Sequence, residues 1–537
     1  MKNILIAIRS IFKKGRHNVM KIVSLGIGLA VGLVLIAKVY FEQSYDDFYP
    51  DRDRVYQVWA KYQQNGGELK DYPQTSGGIA PTMQQQIPEI ETVTRYTSFG
   101  DWTFTMTDTK MKYSGRCIIA DSCFFDILPR PMLIGNAKEV LSTPMYVLIS
   151  SRIAKNIGGD VIGKNFTVDN SPGRTMTIGG VFEEVPENSH SRYDVIVSMA
   201  SAGRFMWEGS PTNMLGNDRY ISYVKLHKGV NPLALEEQVR TFVNSYFPPE
   251  EQQKVGLSID FSFHKLDNLH KELPQVKRMT WILSLLAFAL IFTAVMNYIL
   301  IVISSIVNRS KEVAVHKCYG ASENNIHGMM FGEALVHIVL SLILALLLIL
   351  AFRGTVEELL ATSLDSLLLS NGSLVLLGIC ILVFFVSGFM PGSLYARIPV
   401  ASAFRNYREN KRIWKKALLL VQFVATGFLV TMLVFVARQY TFMVNDRPGY
   451  AYENLAYCGL AGVDSTSRAK ILDEVMRLPG VAAATTVYQL PFEHASGNNI
   501  LLPGGTQELF NIADLYWVGN GYLDMMEIPV IQGRSFT

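Results

Sequence analysis

The sequence predicts an α-helical membrane protein whose spans carry mixed α/β domains outside the bilayer. Three observations predict it. Five runs of about twenty residues are apolar on every face, the long segments between them have ordinary soluble composition, and Lys and Arg crowd into alternate short loops. Of the 537 residues, 49% are hydrophobic and only 18% charged, too apolar for a wholly soluble chain. Mean hydropathy is +0.20. The formal charge of +3, from 49 basic and 46 acidic residues, cannot coat a phosphate-binding face, which argues against a nucleic-acid partner.

In residues 1–21, Ile4, Ile8, Ile11 and Phe12 form an apolar stripe opposite Arg9 and Lys13, an amphipathic helix expected in the inner-leaflet interface. The first span, residues 22–41, is too long for a signal-peptide core and has no small-x-small cleavage site, so it is expected to stay as an anchor. Lys38 near its end is expected to snorkel outward. Gly28-x-x-x-Gly32 offers a close-packing face. Further spans are expected at residues 280–307, 330–352, 374–394 and 417–437, each able to cross about 30 Å of hydrocarbon at about 1.5 Å per residue.

Orientation follows from the loops. Lys2, Arg9, Lys13, Lys14, Arg16 and Lys21 precede the first span, and the basic linker 395–416 carries Arg397, Arg405, Arg408, Lys411, Arg412, Lys415 and Lys416. Both are expected to be cytoplasmic, as is the loop 308–329 with Arg309, Lys311 and Lys317. The loop 353–373, with Arg353 against Glu357, Glu358 and Asp365, then faces out, and residues 42–279 and 438–537 are exported.

In the first exported segment, residues 54–62 and 175–182 read as strands, the second ended by Glu183-Glu184. Residues 145–156 read as a helix stopped by Gly158-Gly159, and 233–246 as one stopped by Pro248-Pro249. Nothing there makes a catalytic constellation. His190 near Glu183, Glu184 and Glu187 is weighed as a metal ligand and set aside as part of a solvated loop. Cys117 and Cys123 are read as free or buried thiols, with a pair across a hairpin as the alternative. No Walker A or dinucleotide fingerprint occurs, so ATP is not expected to bind this chain.

The chain repeats itself. Phe124-Phe125-Asp126, Pro131 and Gly135 recur as Tyr522-Leu523-Asp524, Pro529 and Gly533, 398 positions later. Pro88 and Val93 answer to Pro479 and Ala484, and Ile8-Arg9 to Phe404-Arg405. The expectation is a duplicated four-span unit whose second copy is truncated, a full copy bringing the chain to about 790 residues and eight spans.

The loop after the second span is the most informative segment. Arg309-Ser310-Lys311-Glu312-Val313-Ala314-Val315-His316-Lys317-Cys318-Tyr319-Gly320 reads as a short amphipathic helix with Val313 and Lys317 on one stripe, a turn at Gly320, and Ser322 capping the next helix. A charged helix held between two spans suits a groove in a cytoplasmic partner; the plainer reading is a basic loop that fixes topology. Within the spans, Asn297, Glu333, His337 and Gln422 are candidate functional groups, with helix-to-helix hydrogen bonding as the modest expectation.

Asn297 through Glu333 resembles the permease core of the MacB and FtsX class of ABC transporters, and the exported segment is similar to the MacB-like periplasmic core domain. The aromatic-Phe-Asp, Pro, Leu, Gly pattern falls on Phe124 to Gly135, Ser150 and Ala154 with Ile157-Gly158 fit the next helix, and Val181, Pro186 and Ser189-His190 match a Gly-Val-x-x-x-x-Pro-x-x-Ser region. It looks like the two-unit, eight-span permease common in Bacteroidetes-like Gram-negative bacteria. The resemblance implies a non-catalytic inner-membrane subunit that binds no cofactor itself and uses ATP through a separate cytoplasmic ABC ATPase. Arg309, Lys311, Glu312, His316, Lys317 and Gly320 would form the coupling helix. Members of this class drive periplasmic motion for efflux or export, with a periplasmic adaptor and outer-membrane channel as candidate partners; the alternative is a non-transporting subunit that regulates cell-wall hydrolases.

Overall fold

The computed structural model describes residues 17–64, 67–168, 171–216, 218–369, 372–396, 399–400, 413–445, 449–460, 463–491, 496–503 and 508–535. The amphipathic stripe before residue 17 and the Phe404-Arg405 region lie outside them. Two units separate: residues 1–166 with 175–428, and residues 167–174 with 429–537.

The first unit opens with helix α1, Asn18–Gln43. A domain follows, built from β1 (Val55–Gln64), β2 (Lys70–Tyr72), α2 (Ile79–Gln86), β3 (Ile90–Met106), β4 (Lys112–Ala120), α3 (Phe124–Ile127), β5 (Met132–Ile134), α4 (Ala137–Ser142), β6 (Tyr146–Ser150), α5 (Ser151–Ile157), β7 (Asn165–Val168), β8 (Ser171–Phe182), β9 (Val195–Ser198), β10 (Ile221–Leu226), α6 (Glu236–Tyr246), α7 (Pro249–Val255) and β11 (Leu257–Lys265). Its sheet runs β11-β1-β10-β3-β4-β9-β6-β8-β5, with β2 beside β1 and β7 beside β3 and β8. The pairs β4/β9 and β6/β8 are parallel. Two cores line it: Val58, Ile79, Met83, Val239 and Phe242 in one, and Tyr49, Phe124, Leu148, Phe182, Ile196 and Tyr223 in the other.

One helix expectation is corrected here. Residues 145–156 are a strand and then a helix, β6 and α5. Val147 to Ser150 are buried in succession, and a fully buried strand has no alternation to distinguish it from a helix. Ser150 ends the strand and starts the helix, its hydroxyl accepting from Ile153 N. The expected helix over 233–246 begins instead with a 3-10 turn, Pro232–Leu235, and becomes α-helical at Glu236.

The domain returns to the bundle through α8, Pro274–Ser304. Then come α9 (Ile306–Cys318), α10 (Glu323–Ala351), α11 (Arg353–Leu360), α12 (Leu364–Leu368), α13 (Ser373–Ala396) and α14 (Ile413–Asn445). Five helices among the described residues, α1, α8, α10, α13 and α14, are long and apolar enough to cross a membrane. Glycines set the packing. A Cβ on Gly28 would collide with Ala294 and one on Gly32 with Ile291, so α1 lies directly against α8. Gly26 does the same toward α10, where a Cβ would sit 3.1 Å from Ser341 O.

Lys38 does not snorkel. It is 7% exposed, its ammonium 2.7 Å from Glu42 Oε1 and 2.7 Å from Thr362 Oγ1 in the α11–α12 turn. A buried carboxylate one turn away holds the charge more firmly than the interface would.

The second unit contains α15 (Ser465–Met476), the antiparallel pair β12 (Ser496–Leu501) and β13 (Glu508–Leu515), and α16 (Tyr522–Met525).

Candidate functional site

Helix α9 joins α8 to α10 at the end of the bundle opposite the domain. Its ending is dictated locally. Gly320 takes φ +85°, Gly320 N donates to Lys317 O and Ala321 N to His316 O, the two bonds of a Schellman motif that only a residue tolerant of the left-handed region closes without strain. Ser322 then caps α10 through Asn325 N. The chain therefore turns between two helices within four residues.

The helix has two faces. Ser310, Val313 and Ala314 are buried, and Lys317 on the same stripe donates to Ala396 O at 2.7 Å, the last residue of α13. A cation on a helix C-terminus is favourably placed, so Lys317 ties α9 to the bundle. Lys311, Val315, Cys318 and Tyr319 form the opposite stripe, all exposed, with Tyr319 90% and Val315 43% exposed. His316 is exposed beside them and Glu312 is half-buried. The Arg309 side chain lies outside the described residues. The charge pattern of the segment does not single out Tyr319, whose exposure only the structure shows.

The polar groups of the spans form a ladder. Glu333, His337 and Ser341 sit at four-residue intervals on one face of α10, 6%, 0% and 0% exposed. Lys21 Nζ approaches Glu333 Oε1 at 3.5 Å, Tyr298 OH lies 3.2 Å from His337 Nδ1, and Ser341 Oγ donates to Ile22 O at 3.1 Å. The ladder thus joins α10 to α1 and α8. Lys21, read from sequence as a flanking charge, is the partner of Glu333. Asn297 belongs elsewhere: with Val19, Met20, Val23, Leu300 and Leu419 it lines an apolar cleft of about 630 Å³. Gln422 is buried on α14.

His190 is not on a solvated loop. Its Nδ1 lies 2.6 Å from Asp46 Oδ2, a carboxylate 1% exposed, and its Nε2 meets Tyr223 OH. Glu183 and Glu184 pair with Arg130 and Arg152. Among the described residues no group of three or more His, Cys, Asp or Glu is arranged to hold a metal ion. Cys117 and Cys123 are both free thiols; burial pushes the Cys117 thiol well up.

Two family models match the chain: a MacB-like periplasmic core domain over residues 20–242 and an FtsX-like permease C-terminal region over residues 284–400. Among solved structures, one described as a domain of a permease protein from Porphyromonas gingivalis is 33% identical, covering 40% of this chain and 91% of its own, with TM-score 0.38. The periplasmic region of MacB from Actinobacillus actinomycetemcomitans is 16% identical over 38% of this chain and 87% of its own, TM-score 0.26. The extracellular domain of the noncanonic ABC-type transporter YknZ from Gram-positive bacteria is 11% identical over 38% and 98%, TM-score 0.28. No curated protein matches the chain. Membership rests on the sequence matches. A core domain inserted between two spans, followed by the permease region that contains α9, makes this chain a member of the MacB/FtsX family of membrane permeases.

Proposed function

We propose that the chain is the inner-membrane subunit of an ABC transporter in which a separate cytoplasmic ATPase grips α9 and drives the periplasmic core domain, for efflux or export. The observation that carries this reading is the division of α9 into a buried stripe fixed to the bundle and an exposed stripe of Lys311, Val315, Cys318 and Tyr319. A helix so held cannot yield to a partner without moving α8, α10 and α13. The N-terminus and α9 are then cytoplasmic, and ATP enters only through the partner. A periplasmic adaptor and an outer-membrane channel are the expected further partners of an efflux assembly.

The test is co-purification from membranes with the ATPase, then ATPase stimulation by variants. Tyr319→Ala removes an exposed aromatic anchor and is expected to weaken docking by about 2 kcal/mol, roughly 30-fold. Glu312→Lys is expected to lower stimulation with insertion intact. Stimulation unchanged by both would exclude α9 as the docking element.

The duplication belongs to this reading. Tyr96 pairs with Ala120 in β3/β4, and the antiparallel bridge Val487–Val518 joins the residues that the two repeat offsets assign to them. The short helices α3 and α16 follow each pair, and Gly135 and Gly533 take φ +85° and +92°. These coincidences support a second segment built on the plan of the first core domain.

A further inference from the structure

The end of α1 that meets the domain carries more buried polarity than a spanning helix needs. Lys38 and Glu42 are 7% and 4% exposed and Asp46 is fully buried. Glu42 sits in the last turn of α1, where the helix dipole disfavours a carboxylate, and removal from water disfavours it again. Both costs are offset by two partners, one on the same helix and one from a distant part of the chain. Glu42 Oε1 takes Lys38, whose ammonium also reaches Thr362, and Glu42 Oε2 takes His270 Nε2 at 2.6 Å. Tyr45 stacks on that imidazole with ring centroids 3.4 Å apart.

One turn further on, the backbone enters the left-handed region at Asp46, φ +59°, strained for a residue with a side chain. The strain aims its carboxylate into the domain. Asp46 N donates to Asn188 O at 2.8 Å, Ser189 Oγ donates to Asp46 Oδ1 at 2.9 Å, and His190 Nδ1 meets Oδ2. Asn188 Nδ2 donates back to Ser44 O at 2.7 Å. His190 passes the contact to Tyr223, which is fully buried on β10 between β1 and β3. Beside it, Ser363 N donates to Glu187 Oε2 at 3.0 Å, so the turn held by Lys38 is held by the domain too.

Apolar packing alone lets a helix end slide or rotate at small cost, whereas directional hydrogen bonds to a buried charge fix its angle. We propose that residues 38–46 with Asn188, Ser189, His190 and His270 form the joint through which movement of α1 reaches the core domain, Asp46 and His190 acting as positioning residues. As to the source of the movement, this rests on the reading of α9 as the motor contact; the joint itself does not.

The test uses the full chain in lipid nanodiscs, its native cysteines replaced, with spin labels at Val31 on α1 and Lys228 in the domain, both exposed. The parent gives one narrow distance distribution. Asp46→Asn and His190→Gln are each expected to broaden it at least about two-fold in protein that still unfolds cooperatively. Ser189→Ala, a milder cut at the same carboxylate, takes their place if either variant misfolds. An unchanged width in folded variants overturns the joint, and needs no motor to be read. In the complex with the co-purified ATPase, the variants are expected to retain hydrolysis within about two-fold and to lose the nucleotide-dependent change in distance. Retention of that change would also overturn the joint, while failure of any ATPase to bind would strike the α9 reading alone.

Discussion

At the scale of single residues, the buried charges are the most consequential side chains. Lys21 and Glu333, 1% and 7% exposed as side chains, form a buried ion pair, and breaking such a pair by removing one member costs about 3–5 kcal/mol. Glu333→Gln or Lys21→Met is therefore expected to lower the detergent unfolding temperature clearly, and the double change Lys21→Met/Glu333→Leu to recover most of the loss. Thermal unfolding of the four proteins checks it. Exposed ion pairs in the domain behave differently. The hydrogen bond from Lys225, and that from Arg54, hold Asp51 below the usual carboxylate range, and Arg54 does the same for Glu91. A carboxylate depressed in the folded state stabilises above its unfolded value, near 4, and loses that contribution as pH falls through the lower folded value. Urea stability is expected to drop as pH falls below about 4, and less steeply in Asp51→Asn/Glu91→Gln.

At the scale of elements, glycines and caps decide geometry. Gly320→Ala puts a Cβ on a residue at φ +85° and is expected to cost about 1 kcal/mol and fray the end of α9; hydrogen exchange of the Tyr319, Gly320 and Ala321 amides reads it. Gly28→Leu meets Ala294 at once and is expected to separate α1 from α8, visible as lost cross-linking between those helices. Both glycines are legible from sequence, Gly320 from its place after a polar helix and Gly28 from its spacing to Gly32. The hydrophobic runs are legible for the same reason: a span must be apolar on every side. What sequence did not yield are contacts between distant segments. Asp46 and His190 lie 144 positions apart and Lys38 and Thr362 324 apart, and no local period links them. The strand at Tyr146–Ser150 was hidden by its own burial, which erased the alternation.

At the scale of the whole molecule, function depends on which side each large segment faces, and the native cysteines suit the measurement. Cys318 is exposed on α9 and Cys458 is exposed in the second unit, whereas Cys117 is buried and Cys123 and Cys380 are partly so. Thiol reactivity follows access and thiolate content, and burial raises Cys117, and to a lesser degree Cys123, away from the thiolate. A membrane-impermeant maleimide added to spheroplasts is expected to modify Cys458 rapidly and Cys318 only after the membrane is opened. The basic residues of the short loops demand that order, because Lys and Arg are retained on the cytoplasmic side. Mass spectrometry of the two labelled peptides reads both sides at once. Modification of Cys318 in intact spheroplasts with Cys458 protected would invert the topology, bring α9 out of reach of a cytoplasmic motor, and leave the joint at Asp46 with nothing to transmit.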